Sequence, residues 1–185
     1  MAQRHPNTAT SCKASKGKNM ANITTIRFKT VIGTIAISCD PNGERITEIT
    51  VLKEPLSDQS SQIPLLNQAK NQVLEYFAGK RTVFDLPLDL AGTDLQKKIW
   101  KTVQEIPFGK TCSYGEIANL AGRPGAARAV GHAMHLNRFL LAVPCHRVVA
   151  ASGLGNYSGG QGIYTKIALL NHEKEVLNAS ATLKP

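Results

Sequence analysis

Ser113–Leu136 reads SYGEIANLAGRPGAARAVGHAMHL, and its division into two short helices around a glycine turn decides the fold class. Ser113 followed by Glu116 is a capping-box spacing, in which hydroxyl and carboxylate each satisfy a free backbone N–H at a helix start. The helix so opened carries Ile117, Leu120 and Ala121. Gly122-Arg123-Pro124-Gly125 ends it, because proline and glycine both break helices. A second helix is expected from about Ala126 to Leu136, with Val130 and Met134 on its inner face. Such a pair is the layout of a helix-turn-helix. Helix pairs also occur in proteins that never meet DNA.

Upstream, Thr93 and Gln96 form another capping-box spacing, and Leu95, Ile99, Trp100 and Val103 follow at helical intervals until Pro107-Phe108-Gly109 interrupts them. Further back the period changes to two. Ile35, Ile37 and Cys39 alternate with Thr34, Ala36 and Ser38, Asp40-Pro41-Asn42-Gly43 marks a turn, and Ile46 to Val51 is extended again. Leu66, Ala69, Val73 and Phe77 then share a helical face, with Gly79 at the cap position, and Phe84 to Leu88 reads as an extended connector. The expectation is an α+β protein with a small sheet and helix over 21–90. A helix-rich domain is expected over 93–176 and a tail over 177–185. Residues 1–20, polar and basic, are expected to be disordered, since they offer too little apolar surface to offset the entropy of ordering.

The net charge of +9 is uneven. Residues 1–20 hold four basic side chains and no acid, 21–92 hold seven basic and eight acidic, and 93–185 hold eleven basic and five acidic. The basic second half suits a polyanionic partner, with solubility as the plainer alternative. No apolar run approaches the roughly 20 residues of a membrane span, and the N-terminus lacks the apolar core of a secretory signal. An intracellular protein with reduced cysteines is expected. Cys12, Cys39, Cys112 and Cys145 show no metal-binding spacing, so structural zinc is not expected.

Pro144-Cys145-His146-Arg147 is a polar interruption between apolar Leu140–Val143 and Val148–Ala150. An isolated cysteine is more often an inert core filler than a nucleophile. Burying His146 and Arg147 beside an inert thiol would desolvate polar groups without gain, whereas imidazole and cation both favour thiolate. If the segment is extended, neighbours point to opposite sides, so His146 would act on Cys145 through a water. Glu173 is a candidate to orient the imidazole, or else a solvated charge at a helix end. Gly153 to Gly160 permits close approach of a flat ligand with Tyr157 available to stack, or is simply a flexible loop.

The ordered set Trp100, Ile106–Thr111, Ser113–Ala118, Ala127–Val130, Asn137, Pro144–Val149, Gly155–Gly160 and Leu169–Glu173 resembles the O6-alkylguanine-DNA alkyltransferase family, densely over 93–175 and more loosely over 23–90. The resemblance implies a ribonuclease-H-like N-terminal domain followed by a winged helix-turn-helix, which makes 93–176 the DNA-binding and alkyl-acceptor domain. It implies direct-reversal repair, in which duplex DNA containing O6-alkylguanine gives up its alkyl group to Cys145 once per molecule. O4-alkylthymine is a further candidate substrate. His146 and Glu173 would form the water-linked relay, and Asn137 would tie the recognition helix to the active-site strand. Arg128 would enter the base stack, while Tyr114 would turn the nucleotide out and hydrogen-bond guanine N3. Ala126 and Ala127 suit approach to the minor groove, with Thr93, Gln96 and Arg123 as further DNA contacts. Met134, Val148 (through its carbonyl), Tyr157, Ser158 (through its N–H) and Lys166 would line the base pocket. No metal or organic cofactor is implied, a monomer is expected, and the location would be cytoplasmic in a prokaryote or nuclear in a eukaryote. Two departures stand out. Arg138-Phe139 occupies a place where many relatives carry proline, and the stretch before Lys166 is slightly long. The rival readings are a non-catalytic alkyltransferase-like damage sensor, which would lack the acceptor cysteine, and a Cys-His hydrolase. The hydrolase would need a distant histidine aligned with the thiol.

Overall fold

The computed structural model describes residues 24–54 and 56–182; the tail expected over 1–20 lies outside them. The alternating segment forms three antiparallel strands, β1 (Thr25–Thr30), β2 (Gly33–Cys39) and β3 (Ile46–Val51), in the order β1-β2-β3. Val31-Ile32 connects the first pair, and Gly33 takes φ 118 at the turn. Ile26, Phe28, Ile35, Ile37, Ile46 and Ile49 are buried. They meet α1 (Pro64–Phe77), which packs on β1 and β2 with Leu65, Leu66, Ala69, Val73 and Tyr76 inward. Proline in the first turn needs no N–H, which suits the start of α1.

The free edge of β3 joins the two halves of the chain. Near one end, Ile46 N–H donates to the Pro87 carbonyl and Asp89 N–H to the Ile46 carbonyl, at 2.8 and 2.9 Å. Farther along, Ile49 N–H donates to the Arg138 carbonyl at 2.8 Å and Leu140 N–H to the Ile49 carbonyl at 2.9 Å. An edge that would otherwise expose unpaired backbone groups is thus covered from within. Arg138-Phe139 lies in this pairing, with Phe139 buried.

The second half contains α2 (Asp94–Gln104), α3 (Tyr114–Leu120) and α4 (Ala127–His135), with both expected capping boxes formed at Thr93 and Ser113. Trp100 donates its indole N–H to the Ala133 carbonyl at 2.9 Å and anchors α4 on α2. Two features escaped the periodicity. β4 (Cys112–Ser113) and β5 (Val148–Val149) pair in parallel, bringing the start of α3 beside the cysteine segment. Cys145–Arg147 is a 3₁₀ turn, correcting the extended reading, with Arg147 N–H donating to the Pro144 carbonyl at 2.9 Å. Just before it, Leu141 has φ 69, the one positive value outside glycine among the described residues. The last helix, α5 (Ile163–Thr182), continues through much of the stretch expected to be a C-terminal tail, so Glu173 sits in its middle and not at its end. Among the described residues no helix is long and apolar enough to cross a membrane.

Candidate active site

A cavity of about 860 Å³ opens between α3, α4, the Gly155–Gly160 loop and the β3 edge. Half-buried Cys145 lies on its wall. Tyr114, Ala127, Arg128, Met134 and Asn137 line it from the helical side, and Tyr157 and Ser158 from the loop. Ile49, Thr50, Val51 and Lys53 of the first half complete the lining, a contribution with no signal in the sequence around Cys145. The volume and the largely apolar walls suit a flat organic group.

Glycine is required where the loop meets the aromatic wall. Gly155 has φ +70, and a Cβ there would lie 3.2 Å from the Tyr114 ring. Tyr114 in turn donates its hydroxyl to the Asn156 carbonyl at 3.4 Å. Tyr157 lines the cavity with its hydroxyl buried near the thiol. Burial, then the neighbouring Cys145, push that phenol well above its ordinary pKa. Asn137 donates Nδ2–H to the Val143 carbonyl at 2.8 Å and accepts Phe139 N–H at 2.9 Å. It thereby holds the end of α4 against the chain leading to Cys145.

Burial pushes the Cys145 thiol up, and the polar groups of Asn137 and Tyr157 together with the Lys166 charge oppose that rise only in part. The resting thiol is therefore protonated and needs a base. The cation acting on it is Lys166, not the adjacent Arg147. Arg147 turns away, donating to Glu173 from Nε and Nη2 and to the Ile106 carbonyl from Nη1.

His146 and Glu173 are both fully buried and joined by a 2.8 Å bond between Nε2 and Oε1. Burial alone would raise the Glu173 pKa, but bonds from His146 and Arg147 outweigh it and hold the carboxyl down to about 2. Burial lowers the His146 pKa, opposed by Glu173, so the imidazole is neutral at neutral pH. An ionised carboxylate can only accept, so Nε2 carries the proton and Nδ1 presents a lone pair. Nδ1 is buried and has no partner among the described residues. Nδ1 is thus a free proton acceptor on the residue that follows Cys145 in the chain.

Other expected site residues are placed differently. Val148 and Lys166 stand behind the cavity wall, with Lys166 Nζ donating to the Val148 carbonyl at 2.6 Å and to the Leu154 carbonyl. The hydroxyl and amide of Thr93 and Gln96 close the α2 capping box and do not reach the cavity. Arg123 is exposed in the α3–α4 turn, Ala126 is the N-cap of α4, and Arg128 projects from the first turn of α4 at the cavity mouth. Tyr76 was missed altogether: its hydroxyl donates to Glu173 Oε1 at 2.9 Å from 97 residues away. Lys166 and Glu173 could have been paired earlier, since seven residues are two helical turns and place both on one face of α5 with Leu169.

Two family models match the chain. Residues 94–175 match the DNA-binding domain of 6-O-methylguanine DNA methyltransferase, and residues 23–90 match its ribonuclease-like domain. A methylated-DNA–protein-cysteine methyltransferase of Mycobacterium bovis is 43% identical over 164 residues, covering 85% of this chain and 98% of that protein. The constitutive methylated-DNA–protein-cysteine methyltransferase of Bacillus subtilis is 40% identical over 140 residues, covering 71% and 84%. The crystal structure of Mycobacterium tuberculosis OGT in complex with DNA superimposes with a TM-score of 0.72 at 39% identity, covering 82% of this chain and 93% of that one.

Proposed function

The chain belongs to the 6-O-methylguanine DNA methyltransferase family, and we propose that it repairs DNA by moving the alkyl group of O6-alkylguanine onto Cys145. It is a methylated-DNA–protein-cysteine methyltransferase acting by direct reversal, and its partner is double-stranded DNA. One observation carries the assignment of the acceptor. A thiol lies on the wall of a base-sized cavity, backed by an imidazole whose free nitrogen is kept as an acceptor by a buried carboxylate.

The target oxygen is shielded inside a duplex, so the nucleotide must first leave the stack. Arg128, at the mouth of the cavity on α4, takes the vacated place, and the small Ala126 and Ala127 let the helix approach the minor groove. The base enters between Met134, Tyr114 and the loop, where the Ser158 N–H is offered to O6. The Cys145 proton passes to His146 Nδ1 through a bridging water, and Glu173 stabilises the resulting imidazolium. The thiolate attacks the alkyl carbon. An S–C bond forms as the C–O6 bond breaks, and its electron pair passes into the purine. Tyr114 donates towards N3 so that guanine departs without a full negative charge. A thioether is a poor leaving group, so each molecule acts once.

A damage sensor without acceptor chemistry is not favoured, because Cys145 is present and faces the cavity. The substrate places the protein with the chromosome, in the cytoplasm of a prokaryote or the nucleus of a eukaryote. Mass spectrometry of the Cys145 peptide after incubation with O6-methylguanine duplex tests the reading. One methylene is gained in the wild type and none in Cys145→Ser; an unmodified wild-type thiol refutes it.

A further inference from the structure

Glu173 is reached from the first half of the chain as well as the second. Its Oε1 accepts His146 Nε2–H at 2.8 Å and the Tyr76 hydroxyl at 2.9 Å, while Oε2 accepts Gly109 N–H at 2.7 Å. Arg147 bridges both oxygens. Tyr76 ends the inner face of α1, is 0% exposed, and packs its ring against Phe77, Phe84, Phe108 and His172. The His172 ring is bonded to the Tyr76 carbonyl at 3.0 Å. The last turn of α1 is therefore wedged against the middle of α5, and the hydroxyl at the end of that wedge meets the relay carboxylate.

We propose that Tyr76 is a positioning residue of the transfer reaction: by donating to the oxygen that also holds His146, it sets how strongly Glu173 draws the imidazole towards imidazolium. This rests on the reading of Cys145 as the alkyl acceptor. The residue touches neither thiol nor base. Its effect is transmitted through the carboxylate it shares with His146, which makes the N-terminal half part of the chemistry as well as the scaffold. The alternative, a hydroxyl present only to satisfy a buried carboxylate, predicts a different response to pH. The charged and titratable groups around the pair are His146 and Arg147 from the 3₁₀ turn and His172 from α5, with Tyr157 from the loop and Lys166 from α5 next beyond.

Tyr76→Phe keeps the ring packing and removes one donor from Glu173. The carboxylate charge is then less compensated, the imidazolium is stabilised, and His146 stays protonated to higher pH. The experiment follows Cys145 modification against pH in the full chain with two reagents, O6-benzylguanine free base and iodoacetamide, each read by mass of the Cys145 peptide. In Tyr76→Phe both profiles move to higher pH, and the ratio of the rate below neutrality to the rate above it falls severalfold. Profiles scaled down evenly, unmoved, or moved to lower pH overturn the proposal. Should the variant fail to fold by its melting curve, 3-fluorotyrosine placed at position 76 alone carries the test. Its more acidic hydroxyl is the stronger donor, so both profiles move to lower pH; unmoved profiles count against the proposal. Failure of the acceptor reading looks different. O6-benzylguanine then leaves wild-type Cys145 unmodified, while iodoacetamide still reports the displacement caused by Tyr76.

Discussion

Glu173→Gln replaces a carboxylate by an amide of nearly the same shape, so its consequences are those of charge and hydrogen bonding. In the native protein the two carboxylate oxygens accept from Tyr76, His146, Gly109 N–H and the Arg147 guanidinium. An amide has one acceptor oxygen and an NH₂ that donates. With NH₂ at Oε2 it opposes Gly109 N–H and Arg147 Nε; at Oε1 it opposes Tyr76, His146 and Arg147. Either way Arg147, almost wholly buried, loses its counter-ion. Breaking a buried ion pair from one side costs about 3–5 kcal/mol. Linkage gives an independent figure. A carboxyl held at about 2 against an ordinary 4.5 contributes about 3 kcal/mol at neutral pH. The two agree, and for a chain of this size they correspond to a fall in melting temperature of about 10 °C. The assay is urea unfolding of both proteins across pH. Because the folded pKa is depressed, the contribution is complete above 4.5 and is lost as pH falls through about 2. The gap between wild type and variant must close over that window. A loss below about 1 kcal/mol at neutral pH, or a gap indifferent to acid, would refute the account of Glu173 as an ionised, fully bonded hub.

Arg128→Ala is expected to slow transfer from duplex DNA on the order of tenfold, as part of the unstacking free energy goes uncompensated. Reaction with free O6-benzylguanine stays near wild type in the same single-turnover assay, and equal losses on both substrates contradict the wedge role. Lys166→Met removes the cation that opposes the burial-driven rise of the Cys145 pKa and leaves the Val148 and Leu154 carbonyls without their donor. The thiolate absorbance should therefore appear only at higher pH than in the wild type. An unchanged titration would exclude Lys166 as the cation acting on the thiol.

Much of this protein was legible in its residues. Period-two alternation over 34–39, helical spacing over 66–77 and two capping boxes are local signals, because each arises from contacts within a few residues. They located β2, α1, α2 and α3 closely. The Cys145 motif and its ordered companions likewise pointed, through the family resemblance, to the thiol on the cavity wall and to the His146–Glu173 pair that the fold joins. The neighbouring residues misled where backbone shape mattered. Taking 145–147 as extended, and the adjacent Arg147 as the activating cation, ignored the 3₁₀ turn that leads into β5.

What only the tertiary structure decided was which distant groups share one buried carboxylate and one thiol. Tyr76, Gly109 and the adjacent pair His146 and Arg147 converge on Glu173 from three separate stretches of chain, and the Lys166 charge acts on Cys145 from α5. No periodicity encodes that meeting. A charge removed from water must be met by donors wherever packing can bring them. Sequence order constrains side chains a turn or a strand apart, whereas burial is a property of the assembled core.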